Sequence, residues 1–373
     1  MKVLQTIIFL FMAYALLLAQ DKIERKFEIG SGSDIEVDLH TGGSITVIGW
    51  DKELVEVIAD VEDDAEDYRI DYKERSSGLS IDVSHSGRGH HSGDVEITVK
   101  VPKKSNLELE TTGGDVSIDN IEGDIEGETM GGEIELSNLR GNIEFTTMGG
   151  EIDVKNSNLD GELKTMGGDI TFENVSGSVK GSTMGGDVKY RGEGRDKEKD
   201  KNREVRISTM GGDIKVDDAP GGANVSTMGG EIRIGSAGKY VKAKTMGGDI
   251  ELKQVDGGFK LSTMGGDVTA KMIGNPNEGD RDIDISSMGG DITVTVPDGL
   301  SMSFDLKLTY TKRSSGSYQI ISDFPVKVEE SGDWEYSDGS PRKYIYGSGE
   351  VAGGKFKVKI ETINGNIVIR KGR

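Results

Sequence analysis

One phrase returns along this chain and limits what it can fold into. It stands as Thr111-Thr-Gly-Gly-Asp-Val, then as Thr-Met-Gly-Gly-Glu/Asp-Ile/Val from Thr129, Thr147, Thr165, Thr183, Thr209, Thr227, Thr245 and Thr263. It closes as Ser287-Met-Gly-Gly-Asp-Ile. The spacing is 18 residues, except for 26 from Thr183 to Thr209 and 24 from Thr263 to Ser287. The extra residues fall in 191–204 and around 274–280, both turn-like in composition, and lengthening a turn costs little. The register resumes after each.

Every 18-residue unit splits into two halves of nine. Ile170, Phe172, Val175, Val179 and Met184 are the apolar positions of one unit. Ile250, Leu252, Val255, Phe259, Leu261 and Met264 are those of another. The i, i+2 step is strand periodicity and the following i+3 step implies a bend. Glycine at the turn of both halves (Gly132 and Gly141, Gly168 and Gly177) is expected to supply positive φ. The unit at 156–163 slides by about two residues, so a different turn is expected there. About six buried apolar side chains at roughly 1.5–3 kcal/mol each do not offset ordering one coil at about 1.5 kcal/mol per residue. Stacking does, because each coil bonds to the next and buries its apolar row. The fold expected is therefore all-β: a β-solenoid (β-helix) of 18-residue coils over 106–297, flanked by β-rich caps at 21–105 and 298–373.

Stacking turns identical residues into columns. Met130, Met148, Met166, Met184, Met210, Met228, Met246, Met264 and Met288 are assigned to one internal column that fills the core. A metal-binding methionine row needs an exposed, convergent cluster, which the spacing does not suggest.

Composition agrees with a thin, turn-rich fold. Glycine numbers 55, aromatics make up 6%, and cysteine is absent, so no disulfide is used. A net charge of −21 repels nucleic acid and anionic membrane surfaces. Polycations, divalent metal ions and neutral glycans remain as partners. Residues 1–20 read as a signal peptide: Lys2, an apolar run from Val3 to Leu18, then Ala19 before a polar stretch. No second run of that kind follows, so no membrane span is expected after cleavage, and export to the periplasm or cell surface is.

The flanks read as strands. Thr41-Gly-Gly-Ser-Ile-Thr-Val resembles a degenerate repeat ending in Trp50, and residues 55–61, 79–83 and 95–101 alternate as strands, with one helical turn expected at 63–67. Aromatics gather after Pro297, and Glu361-Thr-Ile-Asn-Gly-Asn-Ile-Val-Ile369 restores the repeat phrase, so the last strands are expected to rejoin the stack. A solenoid needs closed ends, because an open terminal coil is an unpaired sheet edge.

Thr41-Gly-Gly-Ser-Ile-Thr-Val-Ile-Gly-Trp50, Ile97-Thr-Val-Lys-Val-Pro-Lys103, the serial Thr-x-Gly-Gly-Asp-Val phrases and Ser322-Asp-Phe-Pro325 occur in an order that resembles the bacterial candidate-adhesin family DUF4097. Members usually carry Thr-x-Asn-Gly-Asp-Val where this chain has Thr-Met-Gly-Gly-Asp-Ile. The resemblance implies a β-helical exported protein proposed to act in adhesion, and brings no catalytic residues.

Three features bear on chemistry. An outward carboxylate column is expected from Asp115, Glu133, Glu151, Asp169, Asp187, Asp213, Glu231, Asp249, Asp267 and Asp291. Neighbours about 4.8 Å apart repel by about 1 kcal/mol in water, and calcium would relieve that. Asp169, Asp187, Asp213, Glu231, Asp249 and Asp267 are the calcium candidates, although the Gly-Gly-x-Gly-x-Asp calcium roll is absent. The threonine column reads as a polar column bonding within the corner, with Asn120, Asn138 and Asn174 at the equivalent place in the other half. His85, His90 and His91 sit on a glycine-rich loop and read as solvated rather than metal-bound. No cofactor is expected. A nearly identical surface in every coil suits avid binding of a protein or glycan at the cell envelope better than catalysis, which needs one local constellation. The competing reading is a β-helix polysaccharide-processing enzyme.

Overall fold

The computed structural model describes residues 22–61, 68–85, 95–192, 203–314, 316–336 and 340–372. The expected signal peptide, the helical turn at 63–67, and His90 and His91 lie outside the described residues. Among the described residues there are strands and turns and no helix. Two compact units divide at Thr147 and Met148.

In the second unit each coil contributes one strand to each of two parallel sheets. In one sheet Ile170 faces Ile152, and in the other Val179 faces Gly161, an offset of one repeat. The two longer spacings keep this order: Ile214 faces Val188, and Ile283 faces Phe259. The core lies between the sheets, where Ile170, Phe172, Val188, Ile214, Ile250 and Phe259 are essentially closed to solvent. Residues 156–163 keep the backbone register despite their shifted apolar pattern. Gly161 stands opposite Val179, while Ser157 and Leu159 are both buried. After Val296 the chain leaves the stack and returns, so that Val358 faces Ile283 and Ile367 faces Ile292. The repeat phrase at 361–369 thus rejoins the solenoid. The excursion supplies strand Met302–Thr311, paired antiparallel with Arg342–Val351, and carries the clustered aromatics, Tyr310 against Trp334 at 5.6 Å and Tyr344 stacked on Tyr346 at 6.0 Å.

In the first unit coils already occur within the lead-in. Strand Ser33–Leu39 lies between Gly78–His85 and Ser105–Thr111, and strand Ser44–Trp50 between Val95–Pro102 and Val116–Asp119, all parallel. Antiparallel strands Val55–Val61 and Lys22–Phe27 then continue one sheet outward. The outermost, Lys-Ile-Glu-Arg-Lys-Phe, is mostly exposed and charged, which discourages further pairing at that edge.

Two corners join the sheets of each coil, and they solve the turn differently. In one, the coils as far as Asn174 place asparagine in the left-handed region: Asn120, Asn138, Asn156 and Asn174 have φ of 63°, 56°, 51° and 55°, whereas Asp218, Ser236 and Gln254 continue the strand in later coils. In the other, Gly132 and Gly168 were expected to provide positive φ and do not. Their need is steric. A Cβ on Gly168 would lie 2.2 Å from the carbonyl oxygen of Gly150 in the preceding coil.

Candidate functional site

The repeated corner is best built from its threonine. Thr227 follows strand Ala223–Ser226 with its side chain turned inward and buried. Its hydroxyl donates to the Gly212 carbonyl of the preceding coil at 2.9 Å and accepts from the Gly230 amide at 3.2 Å. Thr183, Thr209, Thr245 and Thr263 repeat both bonds, and Ser287 does so with its own hydroxyl. The expected polar column within the corner is therefore present. It satisfies one buried carbonyl and one amide per coil, groups that are costly to leave unpaired.

Placing threonine inward sends methionine outward. The methionines expected in an internal column lie on the surface instead, with exposures from 36% at Met246 to 57% at Met288. Along the strand successive side chains alternate, and the inward place at the corner goes to the residue that can donate to the facing carbonyl. Backbone bonds hold the row in register, from Met228 N to Met210 O at 3.3 Å and from Met246 N to Met228 O at 3.2 Å.

The acid column faces outward as expected, and it is tied down. The Asp169 carboxylate accepts the backbone amide of Asp187, Asp187 that of Asp213, and Asp213 that of Glu231, at 2.7–2.8 Å. Asp249 serves Asp267, Asp267 serves Asp291, and Asp291 serves Asn366. Glu231 instead pairs with Arg233. Each aspartate thus offsets repulsion from its neighbour with a charge-assisted bond. The six calcium candidates share one row, but among the described residues their oxygens do not gather in threes within 4.8 Å of one another.

The group that does gather is in the first unit and was not anticipated. Asp38, His40 and Asp82 meet on the outer face of one sheet, His40 Nδ1 at 3.1 Å from Asp38 and Nε2 at 3.2 Å from Asp82. Partial burial pushes the Asp38 carboxyl up. His40 opposes that shift, and the charges of Asp82 and Glu36 reinforce it. The signal was Asp38 and His40 at strand spacing, without a hint of which strand would bring Asp82. His85 lies at the end of strand Gly78–His85, packed edge-on against Tyr68 at 5.0 Å.

The outer face of one sheet is acidic in the first unit and carries more cations than anions in the second. In the first, Glu36, Glu108, Glu126 and Glu144 face one another in a row, and Asp82, Asp38, Glu110 and Glu128 form the next. A cleft of about 290 Å³ opens on this face, lined by Asp34, Glu36, Arg75, Glu108, Asp124 and Glu126, where Arg75 bridges Glu36 at 3.0 Å. In the second unit the corresponding rows read Glu162, Lys180, Arg206, Asn224, Lys242, Lys260, Asp284, Lys359 and Lys164, Ser182, Ser208, Ser226, Lys244, Ser262, Ser286, Glu361. Lys242 and Lys244 form no ion pair with any described residue. This cationic face stands out in a chain of net charge −21. It was legible only once the coils were aligned in two sheets.

Among solved structures, the chain is similar to a candidate cell adhesion protein from Clostridium sporogenes ATCC 15579, at 11% identity and TM-score 0.20, covering 94% of this chain and 100% of that one. A candidate adhesin from Parabacteroides distasonis ATCC 8503 matches at 14% identity and TM-score 0.32, over 74% of this chain and 98% of that one. A candidate lipid-binding protein from the same organism matches at 11% and 0.28, over 72% and 97%. Nothing about a ligand follows from likeness at that level. No curated protein matches. The profile of DUF4097, described as Toastrack, matches residues 25–203 and again 182–370, nearly the whole chain, and the chain therefore belongs to that family.

Proposed function

We propose that this chain is an exported, non-catalytic binding protein of the cell envelope, adhesin-like, which holds an acidic glycan along the cationic face of its second unit. The observation that carries this reading is the in-register row Lys180, Arg206, Lys242 and Lys260, with Lys164 and Lys244 beside it. In it Lys164 and Lys180 share Glu162, Arg206 holds Glu204 and Lys260 holds Asp284, leaving Lys242 and Lys244 without an ion pair among the described residues. Cations one strand spacing apart, about 4.8 Å, interleaved with serine and asparagine, suit a linear polymer bearing regularly placed carboxylates or sulfates. Repetition supplies avidity in place of a deep pocket. The net negative charge, which sets the chain against polyanions as a whole, is gathered largely elsewhere. Among the described residues no helix is long and apolar enough to cross a membrane.

The test is a binding screen of the purified protein against acidic glycans, neutral glycans and envelope proteins, with and without calcium. Saturable, salt-sensitive binding to acidic glycans is expected, reduced at least tenfold by Lys242→Glu with Lys244→Glu. Binding to a protein alone would replace the glycan with a protein partner and make the chain an envelope scaffold. In the calcium arm, unchanged melting temperature and no titration heat would remove calcium from the acid column.

A hydrolytic reading would place its chemistry in the acidic cleft. Its carboxylates are largely open to water and lack the apolar enclosure that sets a proton donor apart from its partner. Products released from any acidic polysaccharide would restore that reading.

A further inference from the structure

Threonine, the second glycine and, where it stands, aspartate each have a duty in the fold. Threonine closes the corner through its two hydrogen bonds. A Cβ on the second glycine would collide with the coil before it, at 2.0 Å for Gly230. The first glycine is under much less constraint, with a contact at 3.2 Å for Gly229 but only at 4.0 Å for Gly131. Aspartate accepts the amide of the coil after it. Methionine has no such duty. It is roughly half exposed in every copy, where a polar side chain would be better solvated.

Its uniformity is not a lack of divergence among the repeats. The outward residue just before the threonine changes, as at Lys164, Ser182 and Lys244. The inward residue three places after the aspartate changes too, from Phe172 to Val216 to Ala270. Among the side chains that point into solvent, methionine is the same in each copy from Met130 to Met288. In the second unit the row spans eight coils, from Met148 to Met288. It keeps register across the 26-residue coil, where the Gly211 amide bonds to the Met184 carbonyl at 3.0 Å.

We infer that this row is a binding site for a soft monovalent metal ion, Cu(I), held by thioethers from neighbouring coils. Thioether sulfur selects soft ions, whereas hard cations prefer oxygen. Successive methionines leave the backbone about 4.8 Å apart on side chains with three flexible torsions, so neighbours can turn toward a shared ion. The aspartate row three residues further along each corner adds a field that draws a cation toward the strip. Cysteine, which would compete for the same ion, is absent. The inference is independent of the glycan reading, since the methionines lie at the corner and not on the cationic sheet face.

The test is an anaerobic titration of the whole protein with Cu(I) against a chromogenic chelator. A comparison variant carries leucine at every methionine of the row from Met148 to Met288, keeping the apolar volume. The wild-type protein is expected to withdraw Cu(I) from the chelator and to show sulfur neighbours by X-ray absorption at the copper edge. The variant, melting as a folded protein, is expected to lose at least tenfold in retained copper. Equal retention, or a shell of nitrogen and oxygen only, would overturn the inference and place the ion on carboxylate or histidine. Should the variant not fold, the ε-methyl resonances of the wild-type methionines decide. Shifts on adding Ag(I) are expected for the exposed row and not for buried Met272 and Met302, and an unmoved row would refute the site.

Discussion

At the corner Met228-Gly229-Gly230-Glu231 the two glycines have different surroundings. A methyl group on Gly229 would meet the Gly211 carbonyl oxygen at 3.2 Å, which a small adjustment relieves. On Gly230 it would lie 2.0 Å from the Gly212 oxygen and 2.4 Å from its carbon, both backbone atoms of the coil before. Gly230→Ala is therefore expected to cost about 3 kcal/mol and Gly229→Ala about 1 kcal/mol or less, read from urea unfolding midpoints. Thr227→Val should cost about 1–2 kcal/mol by the same measurement, because the Gly212 carbonyl and the Gly230 amide lose their partner with shape nearly kept. A Thr227→Val protein as stable as the wild type would mean that water replaces the hydroxyl. This corner is also where reading by hydropathy goes astray. Counting methionine as apolar and threonine as polar reverses them, since hydropathy does not register the unpaired carbonyl that faces the inward position. The inward isoleucines and valines, which face only one another, were legible from their spacing.

Among the elements, the outer face of the first unit's acidic sheet is the most exposed to electrostatic cost. Glu126 on strand Ile125–Thr129 stands directly between Glu108 and Glu144, and like charges facing one another across strands are unfavourable. Glu126→Lys should raise stability by about 1 kcal/mol. Added salt should raise the melting temperature of the wild-type protein more than that of the variant. No gain from the substitution would indicate that the face is already neutralised by a bound cation. The glutamates were visible as letters, but their alignment depends on pairing at one repeat's offset, which the period gives only after the strands are assigned to sheets. The 24-residue coil hid a different element of order. Arg281, 2% exposed, donates to the Ile273 and Glu278 carbonyls and to Asp256, pinning a segment whose composition suggested only a loop.

On the scale of the molecule, the repeat makes an integral excision testable. Removing residues 228–245 from the second unit joins Thr227 to Met246 and leaves the phrase, both sheets and the row of aspartate acceptors in register. Stability in a stacked array is close to a sum of coil and neighbour terms. The shortened protein is thus expected to keep its far-UV circular dichroism shape and a cooperative melt, with a modest drop in melting temperature. Removing 232–240, half a coil, would bring a strand of one sheet against the other and is expected to abolish the melt. If both deletions behaved alike, the coil would not be the unit of stability. The same array gives the corner bonds a direction. Each aspartate and each glycine carbonyl on an earlier coil waits for an amide or hydroxyl from the next, and Asp291 waits for Asn366, which the chain reaches only after the excursion through strand Arg342–Val351. In the second unit, as far as strand Ile292–Val296, a polypeptide delivered amino terminus first meets at each step an edge already complete. There the final coil must be postponed until the chain's last residues arrive.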